Sequence, residues 1–258
     1  MGAAAASGCI GLAFGIESGS PEILKAVHKP GTVASFRRAK ELLKPYPHVF
    51  VRGFLIMGFP HETVRQLLQT MELALDLDFD WYPVQLLNPL PSTEIYTTMM
   101  EQGLIEDVLR VGTNVAIGPA GTIHLHQERE KLTAPEFLNL FGERDPDELL
   151  QQKDLPDWWF LMNYKLNFEK IHRWSDGIKL EMQRGMLCYI CDRVAQDIGH
   201  PLASMYLAMC EEKLGNGAEA HRRLADARQA LSESQYWQRR FETLGLYSVM
   251  DELTVLLT

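Results

Sequence analysis

The sequence of 258 residues has few cysteines, no long hydrophobic run and no excess of basic residues. Four cysteines scattered over this length do not make a disulfide framework, which favours a reducing compartment. No apolar run reaches the ~18 residues that a membrane span needs, and the first residues lack the pattern of a secretory signal. A net charge of −9 argues against nucleic acid as a main partner. We therefore expect a cytoplasmic protein with no membrane or nucleic-acid partner.

A strand, a tight turn and a helix follow one another near the start of the chain. Residues 11–16 are apolar or small throughout, which predicts a strand that is buried on both faces. Ser20 suits the N-cap of a helix and Pro21 suits its first position. Glu17 and Ser18 would then lie at the carboxyl end of the strand, where parallel sheets bind their ligands.

Two more units of the same kind follow. Residues 51–57 predict a strand that leads into a helix over residues 64–77. Residues 81–87 predict a third strand, and the helix after it is expected to end at about Gln102, before Gly103. Strands that alternate with helices of ten or more residues predict a parallel sheet and an α/β fold.

Three blocks of sequence resemble the radical S-adenosylmethionine (radical SAM) superfamily, in particular its cobalamin-associated and related subgroups. The first is Gly15–Ser20 with Lys29 further on, and it is similar to the ribose-contacting turn after the fourth barrel strand. Residues 53–63 resemble the fifth-strand motif, and residues 88–96 resemble the block of the sixth strand. The blocks occur in the family's order and cover about two-fifths of the chain.

The resemblance implies a site for S-adenosylmethionine at the ends of these strands. Seven residues would form it: Glu17, Ser18, Ile56, Gly58, Asn88, Pro89 and Leu90. The first two would orient the ribose, the next two would make the adenine site, and the last three would contact the adenine edge. From the residues alone, helix-capping roles for Glu17 and Glu62 and a turn geometry for Gly58 explain the same positions.

The cluster motif of the family has no counterpart in the sequence. Radical SAM enzymes hold a 4Fe-4S cluster on a Cys-x3-Cys-x2-Cys loop, which leaves one iron free for the cofactor. The four cysteines are Cys9, Cys188, Cys191 and Cys210, and none forms that triplet. The resemblance implies S-adenosylmethionine and the 4Fe-4S cluster for a full-length member, and it allows cobalamin. We assign no catalytic and no metal-ligating residue, and we expect the chain alone to be inactive.

We expect three regions and the C-terminal portion of a partial (βα)6 TIM-like barrel followed by an α-helical region. Residues 1–108 would carry the barrel strands, 109–178 an irregular connection, and 179–258 helices that weakly resemble one tetratricopeptide hairpin. The chain would be a fragment, a truncated form or a degenerate relative of a radical SAM enzyme. Its substrate is unknown, and another chain would supply the missing strands. A cluster-free nucleoside-binding protein and a helical interaction module without catalysis are the alternative functions.

Some smaller patterns point to structure more than to chemistry. Cys188 and Cys191 lack a second cysteine pair, so we predict structural thiols and no zinc site. His124 and His126 would share one face of a strand at 122–125, but no third ligand lies nearby. Residues 134–141 predict a helix.

Overall fold

The computed structural model describes residues 2–103, 144–151, 154–175, 177–194 and 199–258. Its sheet has three parallel strands in the order β1-β2-β3, which are Gly11–Glu17, Phe50–Met57 and Val84–Leu86. The α/β class predicted from the sequence is confirmed. The strand and helix expected at 122–125 and 134–141, with His124 and His126, lie outside the described residues.

The helices of the sheet region are α1 to α5, with bounds Gly2–Ala6, Pro21–Ala26, Val33–Leu43, Val64–Leu77 and Glu94–Glu101. Helices α2 to α5 each begin at a side chain that caps the first turn. Ser20 accepts a hydrogen bond from the Ile23 N–H as the N-cap of α2, as predicted. The predicted bounds of α4 are also confirmed, because Thr63 and Gln66 form a reciprocal capping box at its start.

The described residues after 154 are helical, as the sequence predicts from about 179 onward. Helices α6 to α11 are Leu155–Asn163, Gly177–Tyr189, Pro201–Lys213, Gly217–Ser232, Gln235–Leu244 and Leu246–Leu256. Two π-helical turns extend α6 and α7, over Tyr164–Phe168 and Ile190–Val194. No helix in the described part of the chain is long and apolar enough to cross a membrane.

Side chains of the helical region close the outer edge of β3. Asn167 Oδ1 accepts a hydrogen bond from the Tyr82 N–H at 2.7 Å, and Asn167 Nδ2 donates to the Tyr82 carbonyl at 2.8 Å. The indole N–H of Trp159 donates to the Val84 carbonyl at 2.7 Å. Because an unpaired strand edge exposes such groups, these contacts satisfy part of this edge and join the two regions in one core.

Two expectations about the strands need correction. The first strand is not buried on both faces, since Gly11 and Ala13 are exposed and only Ile16 is buried. The third strand is shorter than predicted because Pro83 interrupts the ladder, and Trp81 makes only an isolated bridge to Arg52.

Candidate functional site

The parallel register brings the three predicted blocks together at the carboxyl ends of the strands. A bulge in β1 places Glu17 opposite Leu55. Met57 lies opposite Leu86, and the Leu87 N–H donates to the Met57 carbonyl at 2.8 Å. The segments that follow β2 and β3 therefore leave the sheet side by side.

The carboxylate of Glu17 lies over the end of β1. Its backbone has φ 67°, a left-handed conformation that is uncommon for a residue with a side chain. Lys29 Nζ lies 3.0 Å from Glu17 Oε1, and a Cβ on Gly15 would lie 2.5 Å from the same oxygen. Gly15 thus leaves the space in which the ion pair sits. The helix-capping alternative for Glu17 is wrong, because Ser20 caps α2.

Ser18 faces away from this carboxylate and docks the turn on α4. It is fully buried, its Oγ lies 3.1 Å from Thr70 Oγ1, and it accepts the Ser20 N–H at 3.1 Å. The Gly19 N–H donates to Thr70 Oγ1 at 2.9 Å. The buried side chain of Ser18 therefore stabilises the turn. A ligand at this turn would contact the backbone of the turn and not the Ser18 hydroxyl. Sequence reasoning missed Thr70, which is far along the chain and carries no local signal.

Glu62 fixes the turn after β2. Its Oε2 accepts hydrogen bonds from the Gly58 N–H at 2.6 Å and the Phe59 N–H at 3.1 Å, and Gly58 has φ 84°. Glu62 is 1% exposed, and its Oε1 has no hydrogen-bond partner within the described ranges. Burial raises the pKa of Glu62 to about 7 against the effect of the two N–H donors. The carboxylate thus caps the turn and not the helix, since Thr63 caps α4.

The remaining predicted residues differ in how accessible they are. Ile56 is half-buried, Asn88 is exposed and Pro89 is buried. The Leu90 carbonyl accepts hydrogen bonds from the N–H and the hydroxyl of Thr93, so it serves the turn into α5. A Cβ on Gly58 would lie 3.3 Å from Leu155 Cδ1, so α6 reaches the strand ends.

The described residues do not provide the ligands of an iron–sulfur cluster. A cluster of the radical SAM type needs three thiolates on one loop. Among the residues that the structure describes, no three His, Cys, Asp or Glu side chains could hold a metal ion together. Burial raises the pKa of Cys191 to about 11 and that of Cys210 to about 12, which keeps both thiols protonated at neutral pH. The cluster does not fit these residues, and no step can be derived through it.

Comparison with known proteins gives partial similarity to two kinds of enzyme. The chain is 32% identical to an uncharacterised methyltransferase of Pyrococcus horikoshii over 98 residues, which are 38% of this chain and 21% of that protein. It is 27% identical to a tRNA-2-methylthio-N(6)-dimethylallyladenosine synthase of Neisseria meningitidis over 135 residues, or 52% and 30% of the two chains. The synthase of Vibrio cholerae is 33% identical over 79 residues, or 30% and 17%. No protein-family profile matches the chain.

The chain therefore matches between 17% and 30% of the length of these relatives. Similarity over so small a part of a protein supports shared ancestry of a segment. We therefore use the activities of these relatives only as a basis for a proposal about this chain.

Proposed function

We propose that the chain is the carboxyl-terminal part of a radical SAM barrel and that its strand ends bind the adenosine moiety of S-adenosylmethionine. The observation that carries this proposal is the register, which gathers the three family-like blocks at one sheet edge. Three adjacent parallel strands in sequence order are what consecutive strands of such a barrel would form.

Each accessible residue at this edge has a chemical role in the proposal. The Glu17 carboxylate accepts hydrogen bonds from the ribose hydroxyls, as acidic residues at strand ends do in nucleotide-binding folds. Its Oε1 is held by Lys29, and its Oε2 makes no hydrogen bond among the described residues. Ile56 offers an apolar surface to adenine, and Asn88 with the backbone of 88–90 offers polar edge contacts. Ser18, Gly58 and Glu62 maintain the turns.

The radical chemistry itself lies outside this set of residues. When bound, S-adenosylmethionine and a reduced 4Fe-4S cluster would supply a 5′-deoxyadenosyl radical for a substrate that is not identified. We propose that the cluster and the remaining strands come from another segment or chain. The partial similarity to an uncharacterised methyltransferase and to a tRNA-2-methylthio-N(6)-dimethylallyladenosine synthase supports this class of chemistry. Cobalamin has no support among the described residues, and the cytoplasmic location stays a prediction.

The proposal is tested by nucleoside binding to the iron-free chain. We expect adenosine and S-adenosylmethionine to bind with affinities within about threefold of each other, because the proposed contacts are all to ribose and adenine. Isothermal titration would compare adenosine with 2′-deoxyadenosine for the wild type, Glu17→Gln and Glu41→Gln. The last variant is a control for the same charge change on the exposed surface of α3.

Glu17→Gln should weaken adenosine binding by about tenfold, since a charge-assisted hydrogen bond is lost. The losses of binding free energy caused by Glu17→Gln and by removal of the 2′-hydroxyl should not add, because both changes would remove the same hydrogen bond. Failure of adenosine to bind at millimolar concentration, or additive losses, would contradict the assignment.

A further inference from the structure

A cavity lies between the sheet and the helical region. It encloses about 190 Å³ and is lined by β2, β3, both π-helical turns, α6, α7 and the start of α8. Its sheet wall includes Arg52, Phe54 and Gln85. Ile56 lies opposite Gln85 and alternates with Phe54 and Arg52, so these side chains share one face of the sheet. The cavity therefore lies on the face of the sheet that carries Ile56, nearer the amino ends of the strands.

The chemistry of the cavity wall is aromatic with one charge. Phe54, Trp81, Trp159, Phe160, Phe168 and Tyr189 contribute aromatic rings to the lining. The lining residues that the structure describes include no carboxylate, and their histidine is neutral because burial lowers the pKa of His200 to about 4. A flat aromatic ligand would gain ring contacts from several directions in such a space.

Arg52 is the charged group among the described residues of this wall. Within the described ranges it makes no ion pair and no hydrogen bond, and Gln85 beside it has no hydrogen-bond partner either. Both side chains are only partly buried, so their polar groups can bind a ligand that enters the cavity. The fork of N–H donors on the guanidinium suits a carboxylate.

The helices around the cavity are distorted where they meet it. Asn163 and Phe168 bracket the first π-helical turn, and Tyr189 and Ile190 lie at the start of the second. Such π-helical turns are rare and occur often at functional sites. This observation is independent of the charge on Arg52.

We propose that this cavity binds a small planar aromatic molecule that carries one anionic group, with Arg52 pairing the anion and Gln85 completing its hydrogen bonds. The proposal does not depend on the nucleoside site. Arg52 is the single charged residue of the otherwise apolar strand β2.

The probes for the test are indole-3-carboxylate and its neutral counterpart indole-3-carboxamide. Titration calorimetry would measure both with the full chain, and with Arg52→Gln, Arg52→Lys and the control Arg38→Gln on the exposed face of α3. We expect the wild type and Arg38→Gln to bind the acid at least about tenfold more tightly than the amide. Arg52→Gln should abolish that preference, and Arg52→Lys should retain part of it.

Equal binding of acid and amide by the wild type would overturn the proposal, as would binding of neither at millimolar concentration. A folded Arg52→Gln variant that keeps the preference would also overturn it. Circular dichroism melting of each variant establishes folding, and the wild-type comparison stays decisive if a variant does not fold.

Discussion

A buried ion pair of the helical region and a buried carboxylate of the sheet region differ in how their polar atoms are satisfied. In the helical region, Arg240 and Asp157 are 1% and 2% exposed and pair at 2.6 Å, and Arg223 holds both Asp192 and Glu219. At the strand ends, an oxygen of Glu62 is buried with no partner among the described residues. The buried pair keeps its charge-assisted hydrogen bond, whereas the unpartnered oxygen of Glu62 is a buried polar group that the described residues leave unsatisfied. The two positions therefore differ in the cost of burying their charge.

The strongest test of this contrast removes a buried charge from the helical region. Arg240→Met leaves Asp157 without this cation and removes the stacking of the guanidinium on Tyr236, whose ring centre is 3.4 Å away. We expect a loss of about 3–5 kcal/mol in the free energy of unfolding, because an uncompensated carboxylate stays buried. Urea denaturation measures it.

Arg222→Met is the matched control, because Arg222 pairs with Glu219 and Asp226 on an exposed surface. Its cost should stay below about 1 kcal/mol. Equal losses for the two arginines would remove the distinction between the regions.

A pH series sharpens the contrast at the strand ends. The folded chain holds the Glu62 proton more tightly than the unfolded chain, since the pKa is about 7 in place of 4.5. The stability that protonated Glu62 contributes is therefore greatest at low pH and is lost as pH rises from about 4.5 to about 7. Glu62→Gln should lack this loss. The difference in the free energy of unfolding between wild type and variant should therefore change by about 3 kcal/mol between about pH 4.5 and about pH 7.

Urea denaturation at several pH values gives the two curves, and Glu101→Gln on the exposed face of α5 supplies the control. Parallel curves for the wild type and Glu62→Gln would show that the carboxylate titrates normally. A raised pKa of Glu62 would then be excluded.

The smallest expected effect concerns the turn that docks on α4. Thr70→Val keeps the shape of the side chain but leaves the buried Gly19 N–H without its acceptor. We expect a loss of about 1–3 kcal/mol by thermal denaturation. Thr97→Val on the exposed face of α5 should cost less than about 0.5 kcal/mol, and similar losses for both would argue against a docked turn.

The elements were predictable where a local signal starts or ends them. Ser20 with Pro21 and Thr63 with Gln66 fix helix starts through contacts of three residues or fewer, so their positions follow from sequence. The extent of β3 depends on both kinds of information. Pro83, which interrupts the ladder, is visible in the sequence, whereas the hydrogen bonds of Val84–Leu86 to β2 and to Trp159 arise only in the folded chain.

The candidate site divides in the same way. Sequence motifs singled out Glu17 and Gly58, whose left-handed backbones mark the turns after β1 and β2. They did not distinguish Ser18 from Glu17, although one is buried against α4 and the other is accessible. The direction of each side chain at the bulged end of β1 depends on its packing against α4, which lies far along the chain.

By itself the sequence determined the α/β class, the helix boundaries with caps, and the three blocks that resemble radical SAM proteins. Local backbone preferences and hydrogen bonds between near neighbours carry that information. Only the tertiary structure decided that Asn167 closes the sheet edge and that Arg52 faces an aromatic cavity. It also left Glu62 with a buried oxygen that has no partner among the described residues. These outcomes depend on which distant groups meet when the core forms, because burial sets the cost of every polar group that is left unpaired.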